Sequence, residues 1–551
     1  MDGKASRGNV VDGQASQTGA RGMPVPSQQA RAQSLVWHFK AAAAIMLLWR
    51  CFVFGAWAIN LLFGSPSGSL LSAQMPSASS CSVVQQSQPS TNGSHYDPSL
   101  SSYQIHGQDL AFCEDGEMLS GSADGWALFS CDNSRGRWNT VMGPLADPTH
   151  RGALWLWNYA KSSADPMLLQ LEGYSSERDF HPLGTAFHEE SNTLFVINHG
   201  RNHSTIEVFD LLQTDDGWTA RYRLTTWSLI ATHTPNAIVA LSESTVLVSN
   251  DHFFAKRPPA DIDALPAVYH ELTGSFLLGS LLATLAKTHL FSVVAPKLET
   301  ILGLKGGWVA VVHIAPPGES RKMGNARIVA SGIPFANGLA VSPDGRTLAV
   351  ASTTGPAVRL YDLPEFEDGE ADADGIFYSS AEANQKMTEH TTISVPFTPD
   401  NLAFSNASPD AAAPDSGDGH PFGDRNSHLI VAGHHSVSKI FGLASEPYSG
   451  QRSAPSWVVS ISAVRSDDET SGKGIDASVS ASGGFFSRWT GGKKPRHPGW
   501  QYRIQNLYQS QGVGPQALGS SSTGLLDTAR RTLIVTGLYA KGLLICRNTR
   551  L

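Results

Sequence analysis

The 551-residue chain is 41% apolar and only 16% charged, which supplies a sizeable core and excludes a wholly disordered protein. Its net charge of −8 comes without a basic stripe, which argues against nucleic acid as a partner. The length fits one large domain with non-globular tails.

Residues 1–35 are rich in Gly, Ser, Gln and Ala and are predicted to form a disordered tail. Val36 to Phe63 is mostly apolar, with AAAAIMLLW, then Arg50, then CFVFGAWAINLLF. That is long enough to cross a bilayer as a helix, which takes ~20 apolar residues. Lys4, Arg7, Arg21, Arg31 and Lys40 precede it, and no Lys or Arg lies between Arg50 and Arg135. The charge bias predicts a type II signal anchor, with the tail in the cytosol and the remainder in the secretory lumen or outside the cell. The 35 polar residues ahead of the run argue against a cleaved signal peptide. Residues 64–100, rich in Ser and Pro, read as a stalk. A lumenal address permits disulfides among Cys51, Cys81, Cys113, Cys131 and Cys546. Cys81 with Cys546 would close the globular region, and Cys113 with Cys131 is also open. Glycosylation triplets begin at Asn92, Asn202 and Asn406.

From residue 101 onward one unit recurs. Copies begin at Gln108, Leu183, Asn236, Asn337, Asp400 and Thr523, each a short polar or small pair, an apolar strand, a turn such as SPDG, and a second strand. Short strands with regular turns predict antiparallel sheet, and six repeats predict an all-β, six-bladed β-propeller over 101–551. Insertions fall at 256–305, 363–390, 407–427 and 465–500. The first is helical in composition and is read as a helix packed on the propeller, with a lid or a membrane-surface helix as the other readings.

The innermost strand of each blade lines the central channel, so the pairs that open the copies are expected to meet at the axis. Gln108, Asn236, Asn337, Asp400 and Asn401 then form a ring of amide and carboxylate oxygens. Ca²⁺ takes six to eight such ligands, and the lack of nitrogen and sulfur donors argues against zinc.

The ordered run FHPLG (180–184), VINH (196–199), STIEVF (204–209), PNAIVAL (235–241), SNDHFF (249–254), FANGLAVSPDG (335–345), PDNLAF (399–404) and LYAKGLLIC (538–546) resembles the paraoxonase/arylesterase family of calcium-dependent lactonases and esterases. The resemblance covers roughly residues 104–546. It implies a six-bladed propeller with one catalytic and one structural axial calcium. The catalytic-calcium ligands carry over to Gln108, Asn236, Asn337, Asp400 and Asn401, with Gln108 standing where the family has Glu. Asp109 matches a structural-calcium ligand, while Ala237 replaces a second Asp of that site. Leu183 replaces one histidine of the family's proposed dyad, and His199 retains the other. The family's disulfide matches Cys546, with Cys81 as its partner. These departures predict weak calcium binding that Gln108→Glu would strengthen. With one dyad histidine gone, His199, His181, His252 and His434 are the candidate bases. The implied chemistry is hydrolysis of a small apolar ester or lactone whose carbonyl is polarised by axial Ca²⁺. The alternative is a non-catalytic propeller that binds a partner or lipid in the secretory pathway, and a gluconolactonase-like relative is a third reading.

Overall fold

The computed structural model describes residues 81–85, 108–119, 125–148, 151–214, 217–257, 265–314, 325–366, 386–405, 420–435, 437–450, 452–465, 499–514 and 517–549. The tail, the anchor at 36–63, Asn92, Asn406 and most of the insertions after residue 363 lie outside these residues.

The described chain folds into successive antiparallel sheet units. The first contains Ala111–Leu119, Trp126–Cys131, Ala153–Asn158 and Met167–Leu168. The second contains Pro182–His188, Thr193–Asn198, Thr205–Thr214 and Gly217–Thr226, with Gln170–Glu172 added in parallel at its outer edge. The third, fourth and fifth open with Pro235–Ala240, Ala336–Val341 and Thr398–Phe404, each followed outward by three more strands. The sixth contains Ser521–Asp527, Thr532–Lys541 and Leu543–Arg547, and its outer strand is Cys81–Val84 from the other end of the chain. The first and sixth units share an eight-stranded sheet through the pairs Ala111–Lys541 and Cys113–Gly537.

What makes this a propeller is where the apolar residues go. In the second unit Leu194 and Val196 pack against Leu128, Leu154 and Leu156 of the first. Their neighbours Phe195 and Ile197 face the other way, onto Val246, Val248 and Trp308 of the third. Strand side chains alternate in direction, so a sheet buried on both faces is apolar at successive positions. Four further cores lie between the third and fourth units, the fourth and fifth, the fifth and sixth, and the sixth and first. The cycle of cores closes, and so does the cycle of contacts between inner strands. Glycines permit the closest approaches. A Cβ on Gly184 would sit 2.5 Å from the Asn236 carbonyl oxygen, and one on Gly338 would sit 2.5 Å from the Asn401 Cα.

Two readings of the sequence change here. Residues 81–84, inside the stretch read as a stalk, are instead the closing strand, paired with Leu543–Cys546. The helix Val437–Ser445 was not anticipated, since its segment was read as strand. Both disulfides left open by the sequence form, Cys81–Cys546 across that closure and Cys113–Cys131 within the first unit. Cys81–Cys546 ties residues 465 positions apart and reinforces a four-residue edge strand at the closure of the ring. Cys81→Ser is expected to cost about 2–5 kcal/mol of stability, read as a drop in denaturant midpoint against the native chain.

The segment 256–305 is helical as expected, with Leu265–Thr273, Phe276–Ala286 and His289–Leu302 inserted between the second and third strands of the third unit. Leu265, Val268 and Tyr269 bury against Leu229, while Phe276 and Leu277 are 65% and 83% exposed. Among the described residues no single helix is long and apolar enough to cross a membrane, although the bent pair 276–286 and 291–302 passes the length and composition test together.

Candidate functional site

Every inner strand breaks its pairing with the second strand at one place. The register shifts between Pro182 and Thr185, Pro235 and Ile238, Ala336 and Leu339, Pro399 and Leu402, and Ser521 and Gly524. In the first unit it shifts between Cys113 and Asp115. Such bulges release residues from the ladder and re-aim their side chains. Leu183, Asn236, Asn337, Asp400, Asn401 and Thr523 all sit at this register, as the repeats suggested. In the first unit the position belongs to Glu114, followed by Asp115. Gln108 is exposed and precedes the strand, and Asp109 lies beside it. Gln108 and Asp109, expected at the axis, are therefore off this register, which Glu114 and Asp115 occupy instead. The physical reason is that the first inner strand is nine residues long and bulges in its middle, not at its start.

The side chains at this register interlock. Asn401 Nδ2 donates to Glu114 Oε1 and to Thr523 Oγ1, both at 3.0 Å. Asn337 Nδ2 donates to Asp400 Oδ1 at 2.6 Å and to Thr353 Oγ1 at 3.0 Å. Asn236 Nδ2 reaches Asp251 Oδ2 at 3.5 Å. Each amide commits its N–H groups to neighbours and leaves its oxygen over. Asn236 Oδ1, Asn337 Oδ1, Asn401 Oδ1 and Glu114 Oε2 are buried without a hydrogen-bond partner. Buried polar atoms are almost always satisfied, and a cluster of unsatisfied acceptors is the complement of a cation. Burial, with the Asp115 and Asp400 carboxylates close by, pushes the Glu114 carboxyl well above the usual range, and the nearby Arg135 opposes that only in part. Among the described residues no three His, Cys, Asp or Glu side chains cluster in a way that could hold a metal. The set found here contains only two carboxylates, and amide oxygens supply the rest.

Asp115 differs. Its Oδ1 accepts from Gly116 N at 2.8 Å and Thr523 Oγ1 at 3.1 Å, and its Oδ2 accepts from Thr185 N at 2.9 Å. Burial raises it to about 6 against these hydrogen bonds. Ala237 offers no side-chain ligand, so the position expected to hold a second cation is filled by protein donors. Below the bulges the inner strands enclose a channel of about 890 Å³, lined by Glu117, Ile238, Leu339, Leu402 and Phe404 among others.

The four candidate histidines occupy distinct settings. His199 is fully engaged. Its Nε2 lies 3.0 Å from the Pro235 carbonyl, which can only accept, so Nδ1 accepts from Thr140 Oγ1 at 2.6 Å. Burial and the nearby Arg257 and Arg135 hold its pKa well below the ordinary value. His252 sits between Thr300 Oγ1 at 2.6 Å and Asp251 Oδ1 at 3.0 Å. Burial lowers its pKa, but the Asp251 carboxylate outweighs that and leaves it raised. His434 Nε2 donates to Asp400 Oδ2 at 3.0 Å. His181 Nδ1 donates to Asp132 Oδ2 at 3.2 Å, and Asp132 Oδ1 is itself held by Ser134 N at 2.9 Å. His181 Nε2 has no hydrogen-bond partner among the described residues. This carboxylate–imidazole pair with one open nitrogen is the arrangement of an oriented general base. Asp132 comes from the loop after Cys131 and went unnoticed in the sequence, as did Arg135 in the same loop. Asn202, the one described glycosylation triplet, is exposed between two strands of the second unit.

The Arylesterase family model matches residues 144–261. Serum paraoxonase/arylesterase 1 of Mus musculus is 26% identical over 222 residues, covering 39% of this chain and 48% of that protein. Its Homo sapiens counterpart is 25% identical over 208 residues, covering 36% and 44%. The chain thus spans about half the length of the curated relatives it matches. Among solved structures, a gluconolactonase from Xanthomonas campestris is 13% identical with a TM-score of 0.34, covering 80% of this chain and 88% of that one.

Proposed function

We propose that this chain, a divergent member of the paraoxonase/arylesterase family, is a calcium-dependent hydrolase of small carboxylic esters or lactones that works at the propeller axis. The observation that carries the reading is the group of four unsatisfied buried oxygens at one register, on Glu114, Asn236, Asn337 and Asn401, with Asp400 beside them. These residues fit a hard cation in number, charge and donor type. Bound there, the ion would polarise the substrate carbonyl and stabilise the negative charge that develops on its oxygen.

The chain's own contribution is the proton. His181 Nε2 takes a proton from water as the water oxygen bonds to the carbonyl carbon, and Asp132 holds the ring and the resulting imidazolium. When the acyl C–O bond breaks, the same proton passes to the departing alkoxide. His199, with both nitrogens engaged and its pKa depressed, positions the loop through Thr140 and Trp138. A non-catalytic reading draws on one observation, that Leu183 occupies the bulge position where the resemblance puts a histidine. The anchor at 36–63, a lumenal catalytic region and glycosylation at Asn202 belong to the same proposal, supported by the charge bias around the apolar run and by the Cys81–Cys546 disulfide.

The deciding experiment is chelation. Treating the full chain with a chelator is expected to lower its melting temperature and abolish hydrolysis of a lactone panel, with Ca²⁺ restoring both. Hydrolysis that persists without metal, or a melting temperature indifferent to Ca²⁺, would remove the basis of this reading.

A further inference from the structure

Arg135 is only 8% exposed, yet its guanidinium forms no ion pair among the described residues. Its Nη2 reaches only the Pro182 carbonyl at 3.3 Å, and its Nε is buried without a partner. A buried charge is costly unless it is paired, so a guanidinium left in this state calls for an explanation.

Its position supplies one. Pro182 directly precedes Leu183 at the axial bulge, so the guanidinium lies at the end of the second inner strand, beside the cation site. Its charge acts on Glu114, on His199 and on Tyr539. Asp132, three residues earlier in the same loop, is already committed to His181. Two carboxylates, Glu114 and Asp400, would be neutralised by one divalent cation. Asp115, the third carboxylate close by, is held by Gly116, Thr185 and Thr523, so no carboxylate among the described residues contacts the Arg135 guanidinium.

We propose that Arg135 recognises an anionic group on the substrate, so that the enzyme takes a lactone or ester bearing a carboxylate near the scissile carbonyl. This replaces the expectation of a wholly apolar substrate, and it rests on the hydrolase reading above. Guanidinium pairs with carboxylate through parallel N–H bonds, and Nε together with one Nη is the geometry that pairing needs.

The test uses two matched γ-lactones, one carrying a carboxylate on the ring and one carrying the primary carboxamide at the same carbon. The expected result is that kcat/KM favours the carboxylate by about tenfold or more, and that Arg135→Gln collapses the ratio toward one. Calorimetric binding of the ring-opened hydroxy dicarboxylate supplies a readout without turnover. Its affinity is expected to fall about tenfold in Arg135→Gln, with Arg135→Lys intermediate. Ca²⁺ affinity, measured in parallel, establishes that each variant still forms the axial site. If neither lactone is turned over under any metal condition, the hydrolase reading fails. If both are turned over with equal efficiency, or the dicarboxylate binds native protein and Arg135→Gln alike, Arg135 merely offsets the charge of Glu114 and the proposal is overturned.

Discussion

Glu114→Gln is expected to weaken Ca²⁺ binding by on the order of 100-fold, about 2.7 kcal/mol, and to abolish chelator-sensitive hydrolysis with it. The substitution keeps an oxygen in place to accept from Asn401 Nδ2 but leaves Asp400 as the only anion in the set. Its effect on the metal-free protein runs in the opposite direction. Burial and the Asp115 and Asp400 charges raise the Glu114 pKa, so the ionised carboxylate is unfavourable there without a cation. A neutral amide removes that repulsion, and the metal-free variant should melt at or above the native temperature while losing the increase that Ca²⁺ produces. This combination separates a lost ligand from a failed fold. Gln108→Glu, which the sequence alone marked as the strengthening change, is expected to leave Ca²⁺ affinity where it was, because residue 108 is exposed ahead of the strand. Native affinity in Glu114→Gln, measured by calorimetry, would sink the assignment.

How much of this site the sequence carried follows from how each part is encoded. Asn236, Asn337, Asp400 and Asn401 are legible because each stands directly before a short apolar strand, and a polar residue recurring there in several blades has a common structural cause. The first blade breaks the rule. QDLAF resembles the strand openings of the other copies, so the pair Gln108–Asp109 looked in register. The true bulge lies in mid-strand, in CEDGE, where an acidic pair inside an apolar ladder has no period to betray it. The closing strand was hidden for a related reason. Cys81–Val84 is four residues in a Ser- and Gln-rich stretch, and only its partner at the far end of the chain makes it a strand. The helix Val437–Ser445 follows AGHH almost directly, and its apolar positions at 437, 440, 441 and 443 carry no break that sets it apart from the preceding strand. Asp132 and Arg135 sit in a loop with no repeat counterpart. Their meaning comes wholly from His181 and Pro182, about fifty residues away in sequence and adjacent in space.

Asp132→Asn and His181→Gln are each expected to reduce kcat by about 10²–10⁴-fold while leaving Ca²⁺ affinity within about twofold of the native value. The prediction turns on which histidine has a nitrogen to offer. His199 has none, since a carbonyl fixes its Nε2–H and a hydroxyl occupies its Nδ1. Its depressed pKa keeps it neutral throughout the physiological range, where it serves as a brace between the first and third units. His252 bonds through Nε2 to Thr300 under the helical insertion, and its Nδ1 lies 3.0 Å from Asp251 Oδ1 without a hydrogen bond to it. His434 donates to Asp400, so replacing it disturbs a residue of the cation set and should lower Ca²⁺ affinity together with turnover. His181 combines a carboxylate on Nδ1 with an unengaged Nε2, whereas His434, whose Nδ1 is also without a partner, leans on a carboxylate that belongs to the cation set. Asp132→Asn is the sharper variant because it keeps the shape of the pair, yet an amide oxygen neither stabilises the imidazolium nor fixes the tautomer as a carboxylate does. His199→Gln should instead act mainly on stability, lowering the melting temperature by removing two buried hydrogen bonds at about 1 kcal/mol each. Steady-state kinetics with parallel Ca²⁺ titrations distinguishes these roles. If His199→Gln proved far more damaging to kcat than Asp132→Asn at equal metal occupancy, the proton would have to travel by way of His199, and the His181–Asp132 pair would be structural.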